Sequence, residues 1–147
     1  MMMMMIIMVK FVVGPKGSGK TKWLIDKAND EKKNNNGNII FIDSDDKHIF
    51  TLDHSVRLID ASTFHISSPE SLYGFLAGIM SRDFDIETIY VDGIYSIVEM
   101  TEQQLEEFLE NLEVLSKEAN VNFFIGMNKE KSSLPAKYHE DTVELHE

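Results

Sequence analysis

The residues of this sequence that are best placed to do chemistry lie in a glycine-rich stretch after an apolar run. Gly14, Gly19, Lys20 and Thr21 are spaced as G-x-x-x-x-G-K-T, and residues 6–13 before them are mostly apolar. Glycines let the backbone turn tightly, and successive amides at the start of a helix attract anions. A lysine at this position can reach the outer phosphates of a nucleoside triphosphate, and a threonine hydroxyl can hold Mg²⁺. The spacing therefore predicts a triphosphate-binding loop.

The predicted nucleotide contacts extend from this loop into the helix that follows it. They are Gly14, Pro15, Lys16, Gly17, Ser18, Gly19, Lys20, Thr21 and Lys22. Lys20 is also predicted to act in catalysis, because a fixed positive charge can stabilise the transferred phosphate. Thr21 is predicted to be a ligand of Mg²⁺. The alternative interpretation, a glycine-rich turn without a ligand, does not require a lysine and a threonine directly after the last glycine.

Two later apolar runs end in acidic residues. Residues 38–43 end in Asp43, with Asp45 and Asp46 close behind, and a second run ends in Asp92. Continuous apolar runs are typical of parallel strands buried on both faces, and ligands bind beyond the carboxyl ends of such strands. We therefore expect Asp92 to complete the Mg²⁺ site, and the three earlier aspartates to be candidates for the edge of the active site.

Composition narrows the classes of protein to which these motifs can belong. The chain has 147 residues, of which 43% are hydrophobic, and this favours a single soluble domain over residues 1–147, with residues 1–5 expected to be disordered. A net charge of −11 argues against a broad nucleic-acid or membrane-binding face. The sequence has no cysteine, which excludes disulfides and thiolate metal sites and fits a cytoplasmic location.

Helical patterns separate the predicted strands. One helix is predicted over residues 19–33, a second begins at Ser68-Pro69, and a third begins at Thr101, which forms a capping box with Gln104. Further strands are predicted over residues 55–60, 120–127 and 141–146, the last of them at a sheet edge. This alternation predicts an α/β three-layer sandwich, with a mostly parallel sheet and helices on both faces.

Two further predictions concern the surfaces of these helices and not the nucleotide site. Gly74 and Gly78 of the second helix are interpreted as close-packing positions. The glutamates of the third helix are interpreted as a solvated outer face, namely Glu102, Glu106, Glu107, Glu110 and Glu113.

With these elements in order, the chain resembles a RecA-like P-loop ATPase core. The resemblance covers most of residues 6–146. Its matching segments are the phosphate loop at Gly14-Pro-Lys-Gly-Ser-Gly-Lys-Thr21, the second strand at Phe41-Ile-Asp-Ser-Asp45, the Mg²⁺ strand at Ile89-Tyr-Val-Asp92, the sensor strand at Phe123-Phe-Ile-Gly-Met-Asn128, and a closing segment with Leu134-Pro135 and Asp141-Thr-Val. The resemblance implies Mg²⁺-dependent binding and hydrolysis of ATP. It places Asp45 at the position of the catalytic carboxylate and Asn128 as a sensor of the γ-phosphate.

The resemblance also implies that the protein acts in a homo-oligomer or with a protein partner, so that a residue of the neighbouring subunit completes the nucleotide site. Arg57, Lys129 and Lys131 are the candidates for that role. The sequence departs from the family in several places. Asp45 is shorter than the usual glutamate, and Gly93 rather than an acid follows Asp92. Asn128 falls on the sensor position only with a shift in register, and the stretch from Asn128 to Asp141 is short for a DNA-binding loop.

Two other functions stay open at this point. A small-molecule kinase acting on nucleosides or nucleotides would use Asp43 as the base for a substrate hydroxyl. A nucleotide-dependent interaction module would bind ATP and hardly hydrolyse it. Nucleic-acid binding is not favoured by the net charge, and its candidate residues are Lys129, Lys131 and Lys137.

Overall fold

Six parallel strands form one sheet in the computed structural model, which describes residues 8–34, 37–44 and 51–146. The strand order is β3-β2-β4-β5-β1-β6, and every pairing between described strands is parallel. The strands are β1 (Val9–Val13), β2 (Asn38–Asp43), β3 (Arg57–Asp60), β4 (Ile86–Val91), β5 (Asn122–Met127) and β6 (Val143–Glu144). The predicted α/β class is confirmed, with a sheet that is parallel throughout the described strands rather than mostly parallel.

Helices cover both faces of the sheet. They are α1 (Lys20–Asn34), α2 (Pro69–Arg82), α3 (Ile94–Ile97) and α4 (Glu102–Ala119). The core is divided by the sheet into two clusters, one containing Leu24 and Ala28 of α1 and the other containing Leu72 and Leu76 of α2 with the apolar stripe of α4. This arrangement is compatible with a three-layer sandwich.

The two predicted capping sites begin their helices as expected. Ser68 accepts a hydrogen bond from the Ser71 amide, and the Ser71 hydroxyl accepts one from the Ser68 amide. Thr101 and Gln104 make the same reciprocal pair at the start of α4. These bonds satisfy amides that the first helical turn leaves without a partner, so the sequence signals determine where both helices start.

Two expectations about helix surfaces are wrong. Glu113 is only 6% exposed, because its carboxylate turns inward to accept a hydrogen bond from the Val9 amide at 3.3 Å, and it pairs with Lys117. Gly74 and Gly78 are not close-packing positions within the chain, since a Cβ added at either would have no other atom within 4 Å.

The remaining differences concern short elements. The three predicted strands over residues 55–60, 120–127 and 141–146 are present but shorter, and the last of them does lie at a sheet edge. Asn120 delays β5 because it ends α4 in a left-handed conformation with φ of 56°. The short helix α3 and three single 3-10 turns were not predicted. No helix in the described parts of the chain is long and apolar enough to cross a membrane.

Candidate functional site

The glycine-rich loop, residues 14–19, leaves the carboxyl end of β1 and enters α1. Gly14 has a φ of 157°, and a Cβ at this position would lie 2.6 Å from both the Leu145 carbonyl oxygen and the Ser18 Oγ. The Ser18 amide donates a hydrogen bond to the Pro15 carbonyl at 3.2 Å, which closes the turn. The loop is therefore tightly folded on itself and is supported from outside by the segment after β6.

Lys20 is the first residue of α1 and is only 9% exposed. Its ammonium folds back over the loop, donating hydrogen bonds to the Pro15 carbonyl at 2.7 Å and to the Ser18 hydroxyl at 3.3 Å. Burial lowers the pKa of the Lys20 ammonium below its ordinary value, and the nearby Asp92 carboxylate opposes that shift. The sequence thus places the partly buried ammonium of Lys20 directly against the glycine-rich loop.

The first turn of α1 meets the end of β4 through Thr21 and Asp92. The Thr21 hydroxyl donates a hydrogen bond of 2.8 Å to the Asp92 carboxylate, which is 8% exposed. Asp92 is fixed by its own amide, which continues the sheet by donating to the Ile42 carbonyl. A hydroxyl and a carboxylate oxygen are hard ligands of the kind that Mg²⁺ takes, so the residues present fit that ion.

Within the described residues, no group of three or more histidine, cysteine, aspartate or glutamate side chains could hold a metal by itself. Protein sites for Mg²⁺ usually supply one or two carboxylates and leave the remaining positions to water and substrate phosphates.

Gly126 of β5 makes the close approach of α1 and β4 possible. A Cβ at this position would lie 2.9 Å from Leu24 Cδ1 and 3.3 Å from Asp92 Oδ1. The absent side chain therefore lets the first turn of α1 and the Asp92 carboxylate converge over β5. A glycine inside a strand signals such an approach, but the sequence analysis did not assign this role to Gly126.

These side chains surround a cavity of about 1030 Å³ at the carboxyl edge of the sheet, called here the loop cavity. The predicted site residues that line it are Lys16, Gly17, Gly19, Lys20, Thr21, Lys22, Asp92 and Asn128, together with the alternative acid Asp43. The predicted contacts Gly14, Pro15 and Ser18 do not line it and instead hold the loop in shape. Lining residues that the sequence analysis missed are Ile25, Asp26, Ser44, Thr51, Gly93 and Ser96.

Of the three aspartates considered as the catalytic base, Asp43 lies within the described residues and the other two do not. Asp43 ends β2, lines the loop cavity and is 5% exposed, and one of its carboxylate oxygens accepts a hydrogen bond of 2.7 Å from the Ser44 amide. Asp45, which was predicted to be catalytic, and Asp46 lie outside the described residues. Asp43 is thus the one of the three acids that the structure places at the cavity.

A second set of contacts joins α1 to β4, three helical turns from Thr21. The Glu31 carboxylate accepts hydrogen bonds from the Thr88 and Tyr90 hydroxyls, both on β4. Tyr90 is fully buried and stacks between Phe41 and Phe124, at centroid distances of 6.1 and 5.3 Å. Burial, reinforced by Glu31, raises the pKa of the Tyr90 hydroxyl above its ordinary value, so it remains a donor. No signal in the sequence analysis indicated this connection.

Two of the three cations considered for a role in a neighbouring copy, Lys129 and Arg57, are engaged within the chain. Lys129 has a side chain that is only 7% exposed, and its ammonium binds Glu102. Burial acts to lower the pKa of Lys129, but the bond to Glu102 and the nearby Tyr95 outweigh it and raise the pKa above the ordinary value. Arg57 donates to Asp83 at 3.0 Å, and Lys137 lies over the Tyr138 ring. This geometry does not favour a broad basic surface.

Comparison with known proteins adds no further identification. No protein-family model matches the chain, and no curated protein sequence matches it significantly.

Proposed function

We propose that this protein binds ATP with Mg²⁺ and hydrolyses it, as a RecA-like P-loop ATPase. The observation that carries the proposal is the convergence of the glycine-rich loop, the buried Lys20 and the Thr21–Asp92 pair on one cavity. Backbone amides and an ammonium are suited to phosphate oxygens, and the hydroxyl and carboxylate oxygens are suited to Mg²⁺. A cavity of about 1030 Å³ is large enough for a nucleotide.

Lys20 would exchange its internal partners for phosphate oxygens. Its ammonium now donates to the Pro15 carbonyl and the Ser18 hydroxyl, so a bound triphosphate replaces two neutral acceptors with charged ones. The negative charge of the phosphate would also raise the pKa of the Lys20 ammonium, which burial has lowered. Thr21 and Asp92 would hold Mg²⁺, and the ion would supply neutralisation of phosphate charge.

A carboxylate at the end of β2 would orient the attacking water. Asp43 is favoured for this role by its position in the lining of the loop cavity. Asp45, which lies outside the described residues, is favoured by the family resemblance alone. Asn128 follows β5 and lines the same cavity, so its amide is available to contact the γ-phosphate. Asp46, which follows Asp45, is the third candidate for orienting the water, and single variants of the three acids separate them.

The test combines nucleotide affinity with phosphate release. Trp23 is the only tryptophan of the chain and lies two residues after Thr21, so its fluorescence reports binding, with calorimetry as a second measurement. We expect Mg²⁺-ATP to bind, and Lys20→Ala to reduce kcat/KM by about a hundredfold or more. Lys33→Ala is the matched control, because this lysine is exposed in the last turn of the same helix.

Asp43 and Asp45 give opposite expectations. If Asp43 orients water, Asp43→Asn stops phosphate release and leaves affinity for ATP nearly unchanged, while Asp45→Asn hydrolyses ATP like the wild type. The reverse result assigns the role to Asp45. Failure of the wild type to bind ATP or GTP, or equal affinity in Lys20→Ala, contradicts the proposal.

A second candidate function, phosphoryl transfer to a small molecule, is favoured by the extent of the loop cavity. The cavity continues past the loop along α1, where Ile25 and Asp26 face Thr51. The Asn29 side chain holds that far wall, donating to the Thr51 carbonyl and accepting from the Asp53 amide. An acceptor hydroxyl in this half of the cavity would lie beside Asp43, which is the position of a general base.

Product analysis distinguishes the two reactions. A kinase transfers the γ-phosphate of ATP to a nucleoside or nucleotide and releases little inorganic phosphate, whereas an ATPase releases phosphate without any acceptor. Tight binding without either product would identify a nucleotide-dependent interaction module. Adding single- and double-stranded DNA to the phosphate-release assay tests whether nucleic acid is a partner.

A further inference from the structure

A second cavity lies at the amino ends of β2 and β3, away from the loop cavity. This α2 groove has a volume of about 840 Å³ and runs between α2 and the edge strand β3. Its floor is apolar, formed mainly by Ile40, Ile59, Phe75 and Ile79. The last three of these side chains are only partly buried, so the chain itself leaves apolar surface open to solvent here.

Two exposed aromatic residues adjoin residues that line the groove. Phe84, which follows α2, is 97% exposed. Phe64 is 56% exposed and contacts the ring of Phe75 at a centroid distance of 5.2 Å. Large exposed apolar groups next to a concave apolar floor mark a surface that another molecule covers.

The helix beside the groove is shaped for close approach. Gly74 and Gly78 are exposed on α2, have ordinary helical conformations and leave open space where a Cβ would be. Each costs about 1 kcal/mol relative to alanine in a helix interior, and no contact within the described chain requires it. Because neither glycine carries a side chain, the backbone of another molecule can approach this face of α2 closely.

Charges at the two ends of the same helical face are complementary to each other. Glu70 and Arg82 lie one turn before Gly74 and one turn after Gly78, and both are exposed. Neither makes an ion pair or hydrogen bond with another side chain in the described ranges, whereas Arg57 nearby is held by Asp83. The face therefore carries an acid at one end, a base at the other and no bulk between.

We propose that the α2 groove and the exposed face of α2 form a homodimer interface, with a second copy of this chain as the occupant. A two-fold axis on the exposed side of α2, at the level of Leu76 along the helix and midway between the glycines, makes the two α2 helices antiparallel. Gly74 of each copy then lies opposite Gly78 of the other, and Glu70 of each copy opposite Arg82 of the other. The apolar floor and Phe84 are covered by the partner.

Self-complementarity is what selects a second copy over an unrelated partner. An isologous interface requires that one patch match itself after a two-fold rotation, and the acid–glycine–glycine–base order of α2 does so. Both salt bridges form at the rim, where they determine orientation more than affinity. The inference does not depend on the nucleotide chemistry proposed for the loop cavity.

Charge reversal tests this arrangement. Sedimentation velocity of the full chain over the micromolar range is expected to show a monomer–dimer equilibrium for the wild type. Arg82→Glu and Glu70→Arg each place like charges opposite each other twice, and each should weaken dimerisation by at least about tenfold. The double variant Glu70→Arg with Arg82→Glu restores opposite charges and should recover the dimer.

Two further variants control for folding and for general charge effects. Lys33→Glu reverses an exposed cation in the last turn of α1 and should leave the equilibrium unchanged. Gly78→Met adds bulk where the chain has open space, so the monomer should fold, by circular dichroism, and fail to dimerise. A wild type that stays monomeric, single reversals that dimerise normally, or a folded double variant that does not recover each overturn the proposal.

Discussion

The loop cavity and the α2 groove lie at opposite ends of the sheet and are built from different cations. The loop cavity is lined by Lys16, Lys20 and Lys22, whereas the α2 groove contains Arg57 and Arg82, the only arginines of the sequence. The lysine ammonium is a compact point charge on a flexible stem, whereas the arginine guanidinium is planar and presents its donors in a rigid fork. The first region is the one for which we propose a nucleotide site, and the second is the one for which we propose an interface between two copies of the chain.

Glycines differ in the same way between the two regions. Gly14 is enclosed, with a backbone oxygen 2.6 Å from where its Cβ would be, so the fold itself requires glycine there. Gly74 is surrounded by open space and has an ordinary helical conformation, so the monomer does not require it. Substituting alanine at each position therefore separates what the chain needs from what a partner needs.

The largest effect is expected for Gly14→Ala. The added methyl collides with the Leu145 carbonyl and the Ser18 hydroxyl, in a conformation that favours glycine, and should lower the free energy of unfolding by about 2–4 kcal/mol. Urea denaturation measures the change. Gly17→Ala is the control, because it has a φ of 85° but no atom within 4 Å of the added Cβ. Equal stability of the two variants would mean that the contact with Leu145 is unimportant.

A smaller loss is expected when α1 is released from β4 at Glu31. Glu31→Ala leaves the buried Thr88 and Tyr90 hydroxyls without their acceptor, which should cost about 2 kcal/mol in urea denaturation. Glu118→Ala, an exposed glutamate near the end of α4, should change stability by less than about 0.5 kcal/mol. If the two variants lose the same amount, the hydrogen bonds of Glu31 contribute nothing measurable.

The smallest expected effect has the opposite sign. Gly74→Ala should raise the stability of the monomer by about 0.5–1 kcal/mol, because alanine favours the helix and meets no other atom. Thermal unfolding at dilute protein concentration measures this gain without a contribution from assembly. A loss of stability would show that α2 needs the glycine for its own packing, and the contrast with Gly14 would then fail.

The sequence determines the strands, the long helices and most of the cavity because these depend on local patterns. Apolar runs ending in Asp43 and Asp92 place both acids at the carboxyl edge of a parallel sheet, and the loop spacing places Lys20 and Thr21 beside them. Capping residues such as Ser68 and Thr101 determine helix starts by hydrogen bonds within four residues. Such signals can be recognised without knowledge of the tertiary structure.

The features that were missed depend on contacts between distant segments. Glu113 is polar in a helix with an acidic face, and only the position of the Val9 amide explains why it is buried. Gly126 gains its role from Leu24 and Asp92, which approach it from two other elements. The link from Glu31 to β4 spans 57 and 59 residues, and neither the helix pattern nor the strand pattern indicates such a partner.

The position of β1 between β5 and β6 has a consequence for the order of folding. Val9 pairs with Phe123, and Val12 pairs with Val143, so β1 finds both neighbours only after nearly all the described sequence has been synthesised. Contacts this distant in sequence slow folding, because a long loop must close before they form. The glycine-rich loop continues from β1 and rests on Leu145, so it should be among the last parts to assemble. In refolding, a compact sheet of β2, β3 and β4 can therefore form before the loop cavity is complete.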